Sequence, residues 1–181
     1  MTDPELRRAA WIATLIAVPV AVLAGLALWP RDPGPPKPDA SRAPQPTTSA
    51  SVDARELSSR AALICRGLVA KLPERVGELP RRAVSAGAEQ NAAYGHLLLR
   101  CGVDPVTLPE TSTETVYPLS KVCWRAVTDR DSTVWTTLDR EIPVSVTVSG
   151  PPEETGQLIA ALSRYVAETP TGGDPPSGCR K

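Results

Sequence analysis

The pattern of apolar and polar positions changes several times along this chain, and each change predicts a different structure. From Ala9 to Trp29 the chain carries no charge, and only Thr14, Pro19 and Gly25 interrupt its apolar side chains. About 21 residues at ~1.5 Å rise cover about 31 Å, which matches one helix across a bilayer core. From Pro30 to Pro46 the apolar content collapses and seven prolines alternate with Ser, Gln, Lys and Asp. Such a stretch buries no core and predicts an extended spacer, taken here as residues 30–52.

Asp53 followed by Glu56 reads as a capping box. From Leu57 onward, Ala61, Ile64, Cys65, Leu68 and Leu72 then recur at three and four residues until Pro73. This is an amphipathic helix. The run Leu97-Leu98-Leu99 ahead of Arg100-Cys101-Gly102-Val103 predicts a central strand. Strands are also expected over Glu114–Leu119, Val122–Val127 and Thr133–Leu138, the last two joined by a polar turn around Asp129 and Asp131. Ile142 to Val148 is the clearest period-two segment, with Ile142, Val144, Val146 and Val148 on one face; Pro143 favours an edge or first-residue position. After Pro151-Pro152, Glu153 and Glu154 suit a helix amino terminus, and Leu158, Ile159, Leu162, Tyr165 and Val166 form its apolar stripe. The predicted fold class is therefore α+β: one transmembrane helix, a Pro-rich linker, then a small antiparallel sheet with two helices packed on one face.

Orientation follows from the flanks. Arg7 and Arg8 precede the apolar span, and Trp11 and Trp29 lie near its ends. Basic residues on the short side predict a cytoplasmic tail at residues 1–8, an anchor at 9–29, and an extracytoplasmic domain at 53–181. A cleaved signal peptide ending at Val22-Leu23-Ala24 would leave Leu26, Ala27, Leu28 and Trp29 as an apolar stub, so the uncleaved anchor is the preferred reading. The expected location is the cell membrane, single-pass.

Charge removes one class of partner. Asp53 to Lys181 carries 15 Lys and Arg against 16 Asp and Glu, so no basic surface for nucleic acid is expected. The excess of Arg over Lys, with abundant Ala, Pro and Val, suggests a high-GC bacterial genome. Cys65, Cys101, Cys123 and Cys179 all fall in the extracytoplasmic part, where an even count predicts two disulfides with three connectivities open. Their spacing excludes a CxxC redox pair and zinc-ribbon geometry, and with a single histidine no metal or cofactor is predicted.

The segments Leu72-Pro73, Ala93-Tyr94-Gly95, Leu99-Arg100-Cys101-Gly102-Val103, Val122 with Trp124, and the final Val-x-Val strand resemble the actinobacterial domain of unknown function family 3515. The match spans roughly Leu63 to Ser149. The resemblance implies a membrane-anchored or secreted protein with a Cys65–Cys101 bridge, and it implies no activity. Three departures stand out: Tyr94 in place of tryptophan, Asp139-Arg140 in place of a Gly-Arg turn, and Cys123 with Cys179 as an additional pair.

Candidate chemistry is sparse. His96 is the one conventional general base, but no nucleophile elbow or phosphate loop accompanies it. Asp129 and Asp131 lack EF-hand spacing. Trp124 and Trp135 are expected to pack across their hairpin, or else to form an exposed platform for sugar or peptide; with Tyr94 they are the candidate binding residues. The preferred function is a non-catalytic binding or scaffolding module facing an envelope protein or cell-wall partner. The alternative is an envelope hydrolase acting on peptidoglycan or peptide. A cleft gathering His96 with carboxylates would favour the enzyme, and a shallow apolar patch on the sheet would favour binding.

Overall fold

The computed structural model describes residues 46–174 and 176–179. The expected tail at 1–8, the anchor at 9–29 and the linker up to residue 45 lie outside the described residues. Among the described residues no helix is long and apolar enough to cross a membrane.

The domain is α+β. Helix α1 spans Ser59–Lys71 and α2 spans Pro152–Val166. Between them run β1 (Arg75–Val76), β2 (Leu79–Arg82), β3 (Asn91–Tyr94), β4 (Leu97–Cys101), β5 (Val116–Leu119), β6 (Val122–Asp129) and β7 (Ser132–Thr137), then β8 (Val144–Ser149). The order across the sheet is β1-β2-β3-β4-β8-β7-β6-β5, and the strands pair antiparallel throughout. Two four-stranded meanders thus meet where β4 pairs with β8. Residues 102–115 carry the chain from the middle of the sheet to its far edge.

Period-two alternation decides which side chains face the helices. Leu97, Leu99 and Cys101 on β4, Val144, Val146 and Val148 on β8, Trp135 on β7 and Trp124 on β6 are almost wholly buried. From the helices, Cys65, Leu68, Ile159, Leu162 and Val166 close this core. Full burial of each large aliphatic side chain contributes about 1.5–3 kcal/mol, so this one layer supplies most of the drive to fold.

The first helix starts later than the capping-box reading places it. Ser58 is its N-cap, with Oγ accepting from the Ala61 N–H at 3.2 Å. Asp53 and Glu56 lie before the helix, in an extended segment held to the sheet. Ala50 pairs in parallel with Val84, and the Ser85 hydroxyl both accepts from the Val52 N–H and donates to its carbonyl. Ala50 and Val52 are buried, so the spacer gives way to packed structure before residue 53. Leu57 explains the glycine of the Leu-Arg-Cys-Gly-Val run. Gly102 has φ +80°, and a Cβ there would stand 2.5 Å from Leu57 Cδ2.

Two disulfides tie the layers together, Cys65–Cys101 and Cys123–Cys179. The first joins α1 to β4 inside the core. The second joins β6 to a short 3₁₀ turn at Ser177–Cys179 on the other side of the sheet. Arg140 does a comparable job without a covalent bond. Its buried guanidinium donates to Asp139 and to the carbonyls of Lys121, Ala167 and Thr169, clamping the end of α2 to the β5–β6 turn. Its charge is matched by Asp139 and its donors are satisfied, the condition under which a buried ion is tolerated.

Pro143 lies immediately before β8, which is an interior strand, so of the two positions expected for that proline the strand start is realised and the edge is not. The edges are β1 and β5, and in β5 Pro118 removes one backbone donor and blunts the edge against pairing with another chain.

Candidate functional site

The three aromatic residues singled out as binding candidates are core residues. Trp124 and Trp135 share the helix-facing side of the sheet. In the β6–β7 register Trp124 stands opposite Thr137 and Trp135 opposite Ala126, which makes the two indoles diagonal neighbours. Both are at most 1% exposed. Trp124 Nε1 donates to Ser163 Oγ at 2.8 Å, Trp135 Nε1 to Thr155 Oγ1 at 3.2 Å, and Tyr117 meets the Trp135 ring edge-on at 5.0 Å. Tyr94 is also buried, with Oη donating to the Pro73 carbonyl at 2.7 Å. Burial, with a smaller push from the Glu74 carboxylate and an opposing one from Arg81, raises its hydroxyl pKa to about 12. The packing reading holds for Trp124 and Trp135, Tyr94 is a core residue as well, and these rings form no exposed platform. The physical reason is shortage: with seven aromatic residues in the chain, the largest apolar surfaces go to the core.

His96 is exposed and occupies the two-residue turn between β3 and β4, after Gly95 at φ +51°. Asp129 and Asp131 belong to the equally tight β6–β7 turn, where the Asp131 carbonyl accepts from the Gly150 N–H. Glu153 and Glu154 sit in the first turn of α2, as their charge predicts. Among the described residues no group of three His, Cys, Asp or Glu converges as metal ligands.

The distinctive surface is the sheet face opposite the helices. Register lines its outward residues into rows across the strands. One row runs Asn91, Arg100, Ser145, Thr136, Arg125, and the next runs Arg82, Ala93, Leu98, Thr147, Val134, Val127. The first carries hydroxyls between Arg100 and Arg125, and its Asn91 and Ser145 are buried. The second is largely apolar and emerges at Val127, 40% exposed. At the β5 end a cleft of about 640 Å³ opens between the 106–114 loop and the disulfide-tethered tail. Leu108, Val116 and Leu138 supply its apolar wall, and Glu110, Glu114 and Asp174 its acidic rim. His96 is not among its lining residues.

Ion pairs frame this surface. Arg125 holds Glu114 at 2.5 Å and Arg55 holds Asp104 at 2.8 Å, and each guanidinium lowers its partner's carboxyl pKa chiefly through the hydrogen bond. On the helix side Arg60 pairs with Glu141 in the same way. Arg82 and Arg100 stand apart. Each is half-buried, neither has a carboxylate partner among the described residues, and the Nε of each is shielded from water without a hydrogen-bond partner. Arg100 was visible in the sequence as the polar residue of the Leu-Arg-Cys-Gly-Val run, where alternation sends it to the face opposite Leu99 and Cys101. Arg82 and the cleft carried no comparable signal, because β1, β2 and β3 are short and lack clean alternation.

No curated protein and no solved structure matches the chain. A family model described as Protein of unknown function (DUF3515) matches residues 12–173. That match takes in α1, the whole sheet, α2 and the residues that line the open face, and the chain therefore belongs to the DUF3515 family.

Proposed function

We propose that this chain is a membrane-tethered, extracytoplasmic, non-catalytic module that binds or scaffolds an envelope component through the sheet face opposite its helices. One observation carries the reading. The fold spends both described helices, Trp124, Trp135 and the Cys65–Cys101 bridge on one side of the sheet, and leaves the other with a graded apolar row beside an arginine–hydroxyl row. Surfaces of this composition suit recognition, since arginine anchors beside apolar area are what interface hot spots use. The location rests on the uncharged span behind Arg7 and Arg8 and on two cystines, which suit an oxidising compartment. The single histidine stands in an exposed turn apart from the carboxylates of the cleft, an arrangement with no base poised for hydrolysis.

The test is crosslinking in intact cells with the full chain, comparing Val127→Glu and Val134→Glu with His96→Ala. The two glutamates should abolish recovery of the crosslinked species while leaving folding and export intact, and His96→Ala should leave recovery unchanged. The reverse result, loss with His96→Ala in a folded protein, would replace the binding module with an enzyme. A reporter active only outside the cytoplasm, fused after Lys181, should be active; a silent but stable fusion would refute the topology.

A further inference from the structure

The cleft at the β5 end has two walls, and each is fixed by contacts of its own. One wall is the loop that leaves β4. The N–H groups of Gly102 and Val103 both donate to the Pro143 carbonyl, at 2.9 and 3.3 Å, and anchor its start. Further on, the Ser112 N–H donates to the Pro109 carbonyl at 2.9 Å and Ser112 Oγ accepts from the Glu114 N–H at 3.2 Å, which turns the chain toward β5. The other wall is the tail. Past Gly172, the described residues of that tail make no backbone hydrogen bond to a strand or to either helix. What holds the segment is the Cys123–Cys179 bridge, with Gly178 lying so close to β5 that a Cβ would stand 2.5 Å from Val116 Cγ2. A covalent tie on a segment outside the core therefore fixes the shape of the cleft.

The lining is one-sided in charge. Leu108, Val116 and Leu138 face a space of about 640 Å³, Glu110, Glu114 and Asp174 stand on its rim, and no Lys, Arg or His is among the lining residues. Glu114 is engaged by Arg125 from outside. Glu110 and Asp174 are exposed and enter no ion pair among the described residues, and they come from opposite walls, one from the loop and one from the tail. The volume lies within the range of sites that enclose a ligand, and the walls are already in place. Charge and shape together match a cation carried on an apolar stem, the form of a lysine side chain, whose methylenes lie on apolar surface while the ammonium stays at the wet rim.

We propose that this cleft docks a partner's peptide segment in which a lysine is flanked by aliphatic residues. The ammonium meets Glu110 and Asp174, and the aliphatic side chains lie against Leu108, Val116 and Leu138. The assignment goes beyond the reading of the open face, since it requires neither Val127 nor Val134.

Titration calorimetry on the purified full chain should show saturable binding of the tripeptide acetyl-Leu-Lys-Leu-amide, and about tenfold weaker binding of its glutamine and glutamate counterparts. Butylammonium should bind more weakly than the tripeptide; equal affinity would mean that only the cation is read and would overturn the peptide assignment. Glu110→Gln combined with Asp174→Asn should weaken the lysine tripeptide about tenfold with the unfolding midpoint unchanged, as expected for two exposed charge pairs. About 0.5 M sodium chloride should weaken binding in the parent and have little effect in that double variant. Cys179→Ser, which frees the tail wall, should also weaken it, and Glu153→Gln on α2 should not. Affinity retained in the double variant, or equal binding of the glutamate tripeptide, overturns the site. Loss of the tripeptide with Val127→Glu in place of the cleft variants would move it to the open face and likewise overturn the cleft. Tripeptide binding with no crosslinked species in cells would fault the module and leave the cleft standing.

Discussion

The two faces of this sheet are built from alternate residues of the same strands, yet they follow opposite rules. On the helix face each large side chain is buried and each buried polar group is paired: Trp124 with Ser163, Trp135 with Thr155, Tyr94 with the Pro73 carbonyl. On the open face the same strands display Arg100, Ser145, Thr136, Thr147 and Val134, and two arginine donors stay unpaired. Such economy on one side and waste on the other means that the packing energy of this single layer is concentrated on its helix face, and the proposed recognition would fall on the other. Substitutions on the helix face should therefore register as stability, and those on the open face as binding.

The largest effect should come from cutting the covalent tie of the helix face. The chain-entropy model assigns about 4 kcal/mol to either disulfide loop, so loop length does not separate them. Burial does. Cys65 and Cys101 are both at most 1% exposed, whereas the second bridge has a buried end at Cys123 and a half-buried one at Cys179. Cys65→Ser adds a buried hydroxyl costing about 1–3 kcal/mol to the lost loop constraint, and Cys179→Ser does not. Urea unfolding should place Cys65→Ser well below Cys179→Ser; equal losses would break the asymmetry between the faces.

Next in size, Trp124→Ala should cost about 3–5 kcal/mol, the range for deleting a buried aromatic ring, and Val127→Ala should stay within about 0.5 kcal/mol. Unfolding midpoints measured under one set of conditions check both. A destabilising Val127→Ala would mean that the open face also carries core packing.

Tyr94 sharpens the comparison through pH. Its pKa rises from about 10 to about 12 in the folded state, so the folded protein holds the phenolic proton more tightly than the unfolded chain. The resulting stabilisation is fully present below pH 10 and is lost as pH climbs to 12, roughly 2–3 kcal/mol for about two pKa units. Tyr94→Phe should lose about 1 kcal/mol at neutral pH with its hydrogen bond, and should then miss the alkaline decline seen in the parent. Parallel declines would place the phenol outside the folded core.

The smallest effect concerns the ion pairs that frame the open face. Arg125 depresses the Glu114 carboxyl pKa, so the pair stabilises the fold above the usual carboxylate range and its contribution disappears as pH falls through that range. Parent and Glu114→Gln should differ slightly at pH 7 and converge toward pH 3. Because both side chains meet solvent, 0.5 M salt should also erase the difference; a gap that survives salt and acid would assign Glu114 a structural role.

How much of this was legible beforehand depends on range. The amphipathic stripe of α1, the stripe of α2 after Pro151-Pro152, the alternation of β8 and the apolar runs of β4 and β6 are local patterns, and the structure realises each of them. The helix-start reading at Asp53 failed because a capping motif competes with long-range pairing. Gln90 and Asn91 bond the backbone of Arg55 and Asp53, which keeps that stretch extended until Ser58 can cap the helix. The strands β1 and β2 escaped notice because two and four residues are too few to show a period, and β3 because it is buried at each of its residues, so alternation vanishes.

By itself, then, the sequence determined the element types, the likeness to its family and the face on which each strand residue falls, since periods of 3.6 and 2 are properties of neighbouring residues. Only the tertiary structure decided that β4 pairs with β8, and everything on the open face follows from that one junction. It sets Arg100 opposite Ser145, brings Arg82 within two strands of it, and sends residues 102–115 around to wall the cleft with the tail that Cys179 ties down. Pairing across more than forty residues depends on closing a loop and burying a shared core, terms that no local window of side chains contains.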